Sequence, residues 1–123
     1  MENHFARKNA KKSVGCPVET TIAAIGGRWK VLVIYHLIKG DQRFGELTRL
    51  LGGISARTLT RQLRELEASG IINRVVHQQI PPRVEYSLTP IGKELEPVLQ
   101  AMHHWAERLD KHRIAKPNRL SKE

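Results

Sequence analysis

The chain has 123 residues, 40% of them hydrophobic, which suits one compact domain rather than two. Lysine and arginine number 21 against 12 acidic residues, a formal charge of +9, and no apolar run approaches the length of a membrane span. One cysteine excludes an internal disulfide, and the basic N-terminus lacks the apolar core of a secretion signal, so a soluble, cytoplasmic protein with no membrane partner is expected.

The positive charge is unevenly placed. Residues 1–12 carry a net +3 and residues 111–123 a net +4, which leaves only about +2 for the body of the chain. The expected organisation is a basic, fraying N-terminal tail (1–12), a single domain (13–110) and a basic C-terminal tail (113–123). Total charge is therefore weak guidance to a partner. The type of charge is better guidance: from Asp41 to Leu88 there are seven arginines and no lysine. The planar arginine fork reads guanine and clamps phosphate with two hydrogen bonds, which a lysine point charge does not.

In chain order, the first expected helix is CPVETTIAAIGG, residues 16–27. Pro17 suits its first turn, Glu19 lies near the positive end of its dipole, and Gly26-Gly27 ends it. Cys16 stands at the start, where unpaired N–H groups and the dipole favour a thiolate. The plain alternative is a small, half-buried cap residue with no chemistry. RWKVLVIYHLIKG follows, apolar around most of its circumference, and is expected to be the buried centre with Trp29 as a core anchor.

Phe44, Leu47, Leu50 and Leu51, within RFGELTRLL, make a short apolar stripe on a third helix. The glycines of GGIS then let two helices cross steeply within a short turn. In the next helix Leu59, Leu63 and Leu66 fall at i, i+4 and i+7, and Ile71 extends the apolar surface beyond it. At about 100° per residue, Arg57, Arg61 and Arg64 project from the opposite side, with Thr58 beside them. Ser55 is a good N-cap, and Gly70 sits where a helix end needs positive φ. Taken alone, such a helix is most often just a solvated surface helix. Placed after a first helix and a tight turn, it is the second helix of a helix-turn-helix, the one that reads duplex DNA.

NRVVH and VEYSL, rich in β-branched and aromatic residues, read as two strands about five residues apart. Pro81 and Pro82 stiffen their connection, and Arg83 beside them is placed as a wing-tip residue for a phosphate or a narrow minor groove. The whole is mainly α with a small β-hairpin wing, an α+β winged helix-turn-helix.

The last helix, about 90–112, begins at Thr89-Pro90, a cap followed by proline at the first helical position. Ile91, Leu95, Val98, Met102, Trp105 and Leu109 are spaced 4, 3, 4, 3 and 4, an a/d repeat that Leu99 and Ala106 widen. Such a stripe can pack on its own domain, but a domain this small has limited core for a further long helix. A two-fold homodimer through this helix, aided by residues 5–25, is the expectation. Pro97 is expected to bend the helix near Lys93–Pro97 by removing one backbone hydrogen bond.

Nothing points to an enzyme, a cofactor or a metal. His103 and His104 are adjacent, so only one should face any given site, and His112 lies two turns on. No C-x2-C or H-E-x-x-H spacing, phosphate-binding glycine loop or Ser/His/Asp set is present, and no histidine neighbours Cys16 as a base.

The chain resembles the HxlR-type family of bacterial transcriptional regulators, within the winged-helix group that also holds MarR-type regulators. The matching segments are CPVE (16–19), IGGRWK (25–30), RFGEL (43–47), ISARTLTRQLRELEASGII (54–72), PPRVEYSLT (81–89) and Gly92. The resemblance implies a dimeric regulator, more often repressor than activator, on a pseudo-palindromic operator in double-stranded DNA. It makes Ser55, Arg57, Thr58, Thr60, Arg61 and Arg64 the recognition-helix candidates. Arg57 and Arg61 are expected on bases and Ser55 and Thr60 on phosphates, with Arg83 and Gln79 serving the wing. Some members of the family sense small electrophiles through a cysteine in this CP context, which makes Cys16 a candidate sensor. The alternatives are a DNA-binding regulator without cysteine sensing and a winged-helix module for protein assembly.

Overall fold

The computed structural model describes residues 15–115, so all of the basic N-terminal tail, most of the C-terminal one and residues 5–14 of the expected dimer surface lie outside the described residues. The elements run α1 (Pro17–Ile25), α2 (Lys30–Ile38), β1 (Gln42–Arg43), α3 (Phe44–Leu50), α4 (Ala56–Ala68), β2 (Ile72–His77), β3 (Arg83–Leu88), α5 (Pro90–Lys93) and α6 (Glu96–Ala115). This is a winged helix-turn-helix, mainly α with a small antiparallel sheet. Among the described residues no single helix is long and apolar enough to cross a membrane.

The core forms where three apolar stripes meet. Val33, Ile34 and Leu37 of α2, Leu47 and Leu51 at α3, and Leu59, Leu63 and Leu66 of α4 are all buried. The stripe on α3 is narrower than expected. Phe44, Leu47 and Leu51 follow the helical period, whereas Leu50 falls off that face and is 47% exposed. Helix α2 is also less enclosed than its composition predicts: Leu32 and Tyr35 look outward. Trp29 caps α2 at the edge of the core, half-buried, with the Arg28 guanidinium 4.3 Å from its ring centroid.

Helix α4 ends as its sequence requires. Gly70 adopts φ 81°, its N–H donates to the Glu67 carbonyl, and the Ile71 N–H donates to the Leu66 carbonyl. These two reversed bonds satisfy carbonyls that the helix end would leave open, and they return the chain to the core at Ile71.

The sheet order is β1-β3-β2, all antiparallel. The hairpin of β2 and β3 was expected; β1 was not. It has two residues, Gln42 and Arg43, paired with Tyr86 and Glu85. Thr89 then closes the wing: its hydroxyl donates to the Gly70 and Ile71 carbonyls and accepts the Gly92 N–H that starts α5. Gly92 packs so tightly here that a Cβ would collide with the Ile71 carbonyl oxygen.

The C-terminal segment corrects one expectation. It is two helices rather than one bent helix, broken at Glu94–Leu95. Across the break the chain keeps short-range bonds, Glu94 N–H to Ile91 and Leu95 N–H to Gly92. Pro97 is the second residue of α6, where its missing N–H would have had no partner inside the helix. Helix α6 runs on to Ala115, so Arg113 belongs to it rather than to a tail.

Candidate nucleic-acid interface

With Leu59, Leu63 and Leu66 fixed in the core, α4 must turn its other side to solvent. Arg57, Arg61 and Arg64 are exposed there, and Thr58 and Thr60 are half-buried along the margins. The Ser55 hydroxyl accepts the Thr58 N–H at 3.0 Å and donates to the Thr58 hydroxyl at 2.9 Å. Both hydroxyls therefore serve the helix start, where the unpaired N–H groups also favour an anion.

One acid sits among these arginines, and sequence reasoning missed its role. Glu65 takes the Lys30 ammonium of α2 at 2.8 Å. The hydrogen bond from Lys30, then its charge, with a smaller contribution from Arg61, hold the Glu65 carboxyl below its ordinary pKa. The pair ties α2 to α4 and offsets the one negative charge on that face. No local signal could have found it, because the partners are 35 positions apart in sequence.

The wing places its residues differently from expectation. Gln79 and Ile80 are exposed at the tip, Gln78–Pro82, where the Ile80–Pro81 bond is cis. Arg83 is the first residue of β3, paired with His77 below the tip and half-buried. Its Nε is 3.7 Å from Glu85, is buried and has no hydrogen-bond partner among the described residues. Glu85 also receives the His77 Nε2 at 2.9 Å and lies beside Arg43 in register. Arg83 thus shares its carboxylate neighbour instead of extending freely.

The a/d residues of the C-terminal segment divide into two sets. Leu95 packs on the core with Leu99, and Leu109 is half-buried. Ile91, Val98, Met102 and Trp105 are exposed, the last at 57%. Val98, Met102 and Trp105, with Ala101 and Ala106, line one shallow apolar groove. Cys16 is the exposed N-cap of α1; its carbonyl accepts the Glu19 and Thr20 N–H groups, and its thiol makes no capping hydrogen bond. His103 and His104, expected to face different sites, both reach Glu107.

The comparisons with known proteins agree with this geometry. Residues 24–113 match the family model described as an HxlR-like helix-turn-helix. The chain is 55% identical over 94 residues to the HTH-type transcriptional regulator YdeP of Bacillus subtilis, covering 76% of this chain and 73% of YdeP. Among solved structures it is similar to the redox regulator HypR in its oxidized form, at 53% identity and TM-score 0.71, covering 76% of this chain and 96% of that one. It is also similar to the reduced form of the transcriptional regulator YodB of B. subtilis, at 35% identity and TM-score 0.70, covering 85% and 98%. The chain belongs to the HxlR-like helix-turn-helix family and is a DNA-binding transcription regulator of the winged-helix, MarR-like type.

Proposed function

We infer that this regulator acts in the cytoplasm as a homodimer, repressing transcription from a pseudo-palindromic operator. The exposed Arg57, Arg61 and Arg64 on a helix whose apolar side is wholly covered carry the reading. In each subunit α4 enters the major groove, and the two copies reach half-sites about one helical turn, roughly 34 Å, apart. Arg57 and Arg61 read base edges, Arg64 and Thr58 flank them, and Ser55 and Thr60 hold phosphates. Gln79 and Arg83 serve the wing, and Arg83 turns away from Glu85 when a phosphate replaces it. The subunits meet through Ile91, Val98, Met102 and Trp105, with Leu95 and Leu109 at the margin. Exposure of Val98, Met102 and Trp105 in a single groove, with Ile91 exposed nearby in sequence, supports that assignment.

Footprinting on the promoter beside its own gene, with Arg61→Ala in parallel, tests the reading. Loss of one base-reading arginine costs about 1–3 kcal/mol on the operator and relaxes one position, while random DNA is affected less. Equal losses on operator and random DNA would remove Arg61 from the base-reading set.

A thiol-reactive electrophile tunes the same dimer at Cys16. Its exposure at a helix start supports this, as does similarity to HypR, described as a redox regulator. With one cysteine in the chain, oxidation joins two chains or adds a small thiol. Diamide is expected to change operator affinity of the native chain and leave Cys16→Ser unaffected. Unchanged binding in both would leave a regulator without cysteine sensing.

A further inference from the structure

We propose that α6 carries a surface site for one divalent late transition-metal ion, of the Zn2+ or Ni2+ class, held by His103, His104 and Glu107. His103 Nε2 lies 3.1 Å from Glu107 Oε2, and His104 Nδ1 lies 3.6 Å from Glu107 Oε1. One ligand atom from each residue falls within 4.8 Å of the others, and among the described residues no second cluster of this kind occurs. Metal–nitrogen and metal–oxygen bonds of roughly 2.0–2.2 Å around a tetrahedral centre put neighbouring ligand atoms about 3.4 Å apart. The two His–Glu distances, each to a different oxygen of the same carboxylate, are close to that separation, so the three side chains start near the spacing one ion needs. Two imidazoles and one carboxylate suit zinc, nickel or copper, whereas magnesium and calcium take oxygen sets.

The helix explains the convergence. Glu107 is four residues from His103 and three from His104, the two spacings that bring helical side chains together. Glu107 therefore bridges two rings that adjacency would splay by about 100°. The rings stand at 77° with centroids 5.5 Å apart, edge to face rather than stacked. By the same period the trio lies roughly half a turn round α6 from Val98, Met102 and Trp105, so metal and subunit contact do not compete. The two histidines instead border the groove between α6 and α2, a hollow of about 510 Å³ with Tyr35 and Lys39 on its far side. Three protein ligands leave a coordination position open for water or an added donor.

The bland alternative is a pair of exposed helix contacts between Glu107 and the two histidines, worth little and needing no metal. Calorimetric titration of the chelator-treated full chain with Zn2+, and separately with Ni2+, distinguishes the two. One equivalent per chain is expected. Loss of an outer-shell partner alone weakens metal sites about 10–100-fold, so His103→Ala and Glu107→Ala should each weaken binding at least about tenfold. Cys16→Ser and His112→Ala should leave it unchanged, with circular dichroism checking that every variant keeps its helix content. Absence of stoichiometric uptake, uptake that survives the double variant His103→Ala/Glu107→Ala, or loss of uptake in Cys16→Ser would overturn the assignment.

Discussion

Helices α4 and α6 are both amphipathic, yet they use opposite sides. In α4 the apolar stripe is complete within the domain, with Leu59 and Leu66 fully buried and Leu63 at 2% exposure. Its polar side is the one left without a partner, and it presents arginine. In α6 only Leu99 is buried, and Met102 and Trp105 remain in solvent. A helix whose apolar side is satisfied at home can recognise a polar, charged partner; one whose apolar side is open recognises an apolar one. Under the proposed function the two helices address DNA and a second copy respectively, and the differences between them can be measured.

The largest expected effect is on the covered stripe. Leu63→Ala removes side-chain volume from a packed site between α4 and the rest of the core and should destabilise the chain by about 2–5 kcal/mol. Urea denaturation of the variant checks this, with Arg64→Ala as the exposed control, which should stay within about 0.5 kcal/mol of the native chain. Next comes the open stripe. Trp105→Ala should cost about 2 kcal/mol or more of association free energy, since a buried aromatic dominates such interfaces. Sedimentation equilibrium would show this as a dimer dissociating at higher protein concentration, with the unfolding of the separated subunit barely changed. A variant that dimerises as tightly as the native chain would move the interface off this face.

What could be read in advance was local. The leucine period of α4, Ser55 at its start, Gly70 at its end and Thr89-Pro90 each depend on bonds within a turn or two of the residue concerned. What escaped was set by partners distant in sequence. β1 has two residues and exists only because β3 pairs with them, so no alternation can announce it. The seating of α5 involves Gly92 against the Ile71 carbonyl, a contact between segments some twenty residues apart that no local pattern announces. Pro97 was read as bending the segment near Lys93–Pro97, and the interruption falls within that span, as a break between two helices with Pro97 second in the new one. At the candidate interface the arginines of α4 were legible because periodicity assigns them to one side. Arg83 was not, because Glu85 and His77 determine its surroundings through strand register.

The smallest expected effect separates charge from packing on α4 itself. Glu65 is held below its ordinary pKa of 4.5 by Lys30. A carboxyl whose folded pKa is depressed contributes stability above its unfolded pKa and loses it as pH falls through the folded value. The urea midpoint of the native chain should therefore exceed that of Glu65→Gln by a constant amount from neutrality to about pH 5, and the gap should close below 4.5. The carboxylate is exposed, so the gap should also shrink with added salt. On DNA the sign reverses. Glu65→Gln frees the Lys30 charge beside Arg61, and the slope of log binding constant against log salt should steepen by about 1. Lys30→Met should flatten it, because Glu65 then stands unpaired among the arginines. Unchanged slopes in both variants would place this end of α4 away from the phosphates and confine DNA contact to the turns around Arg57 and Arg61.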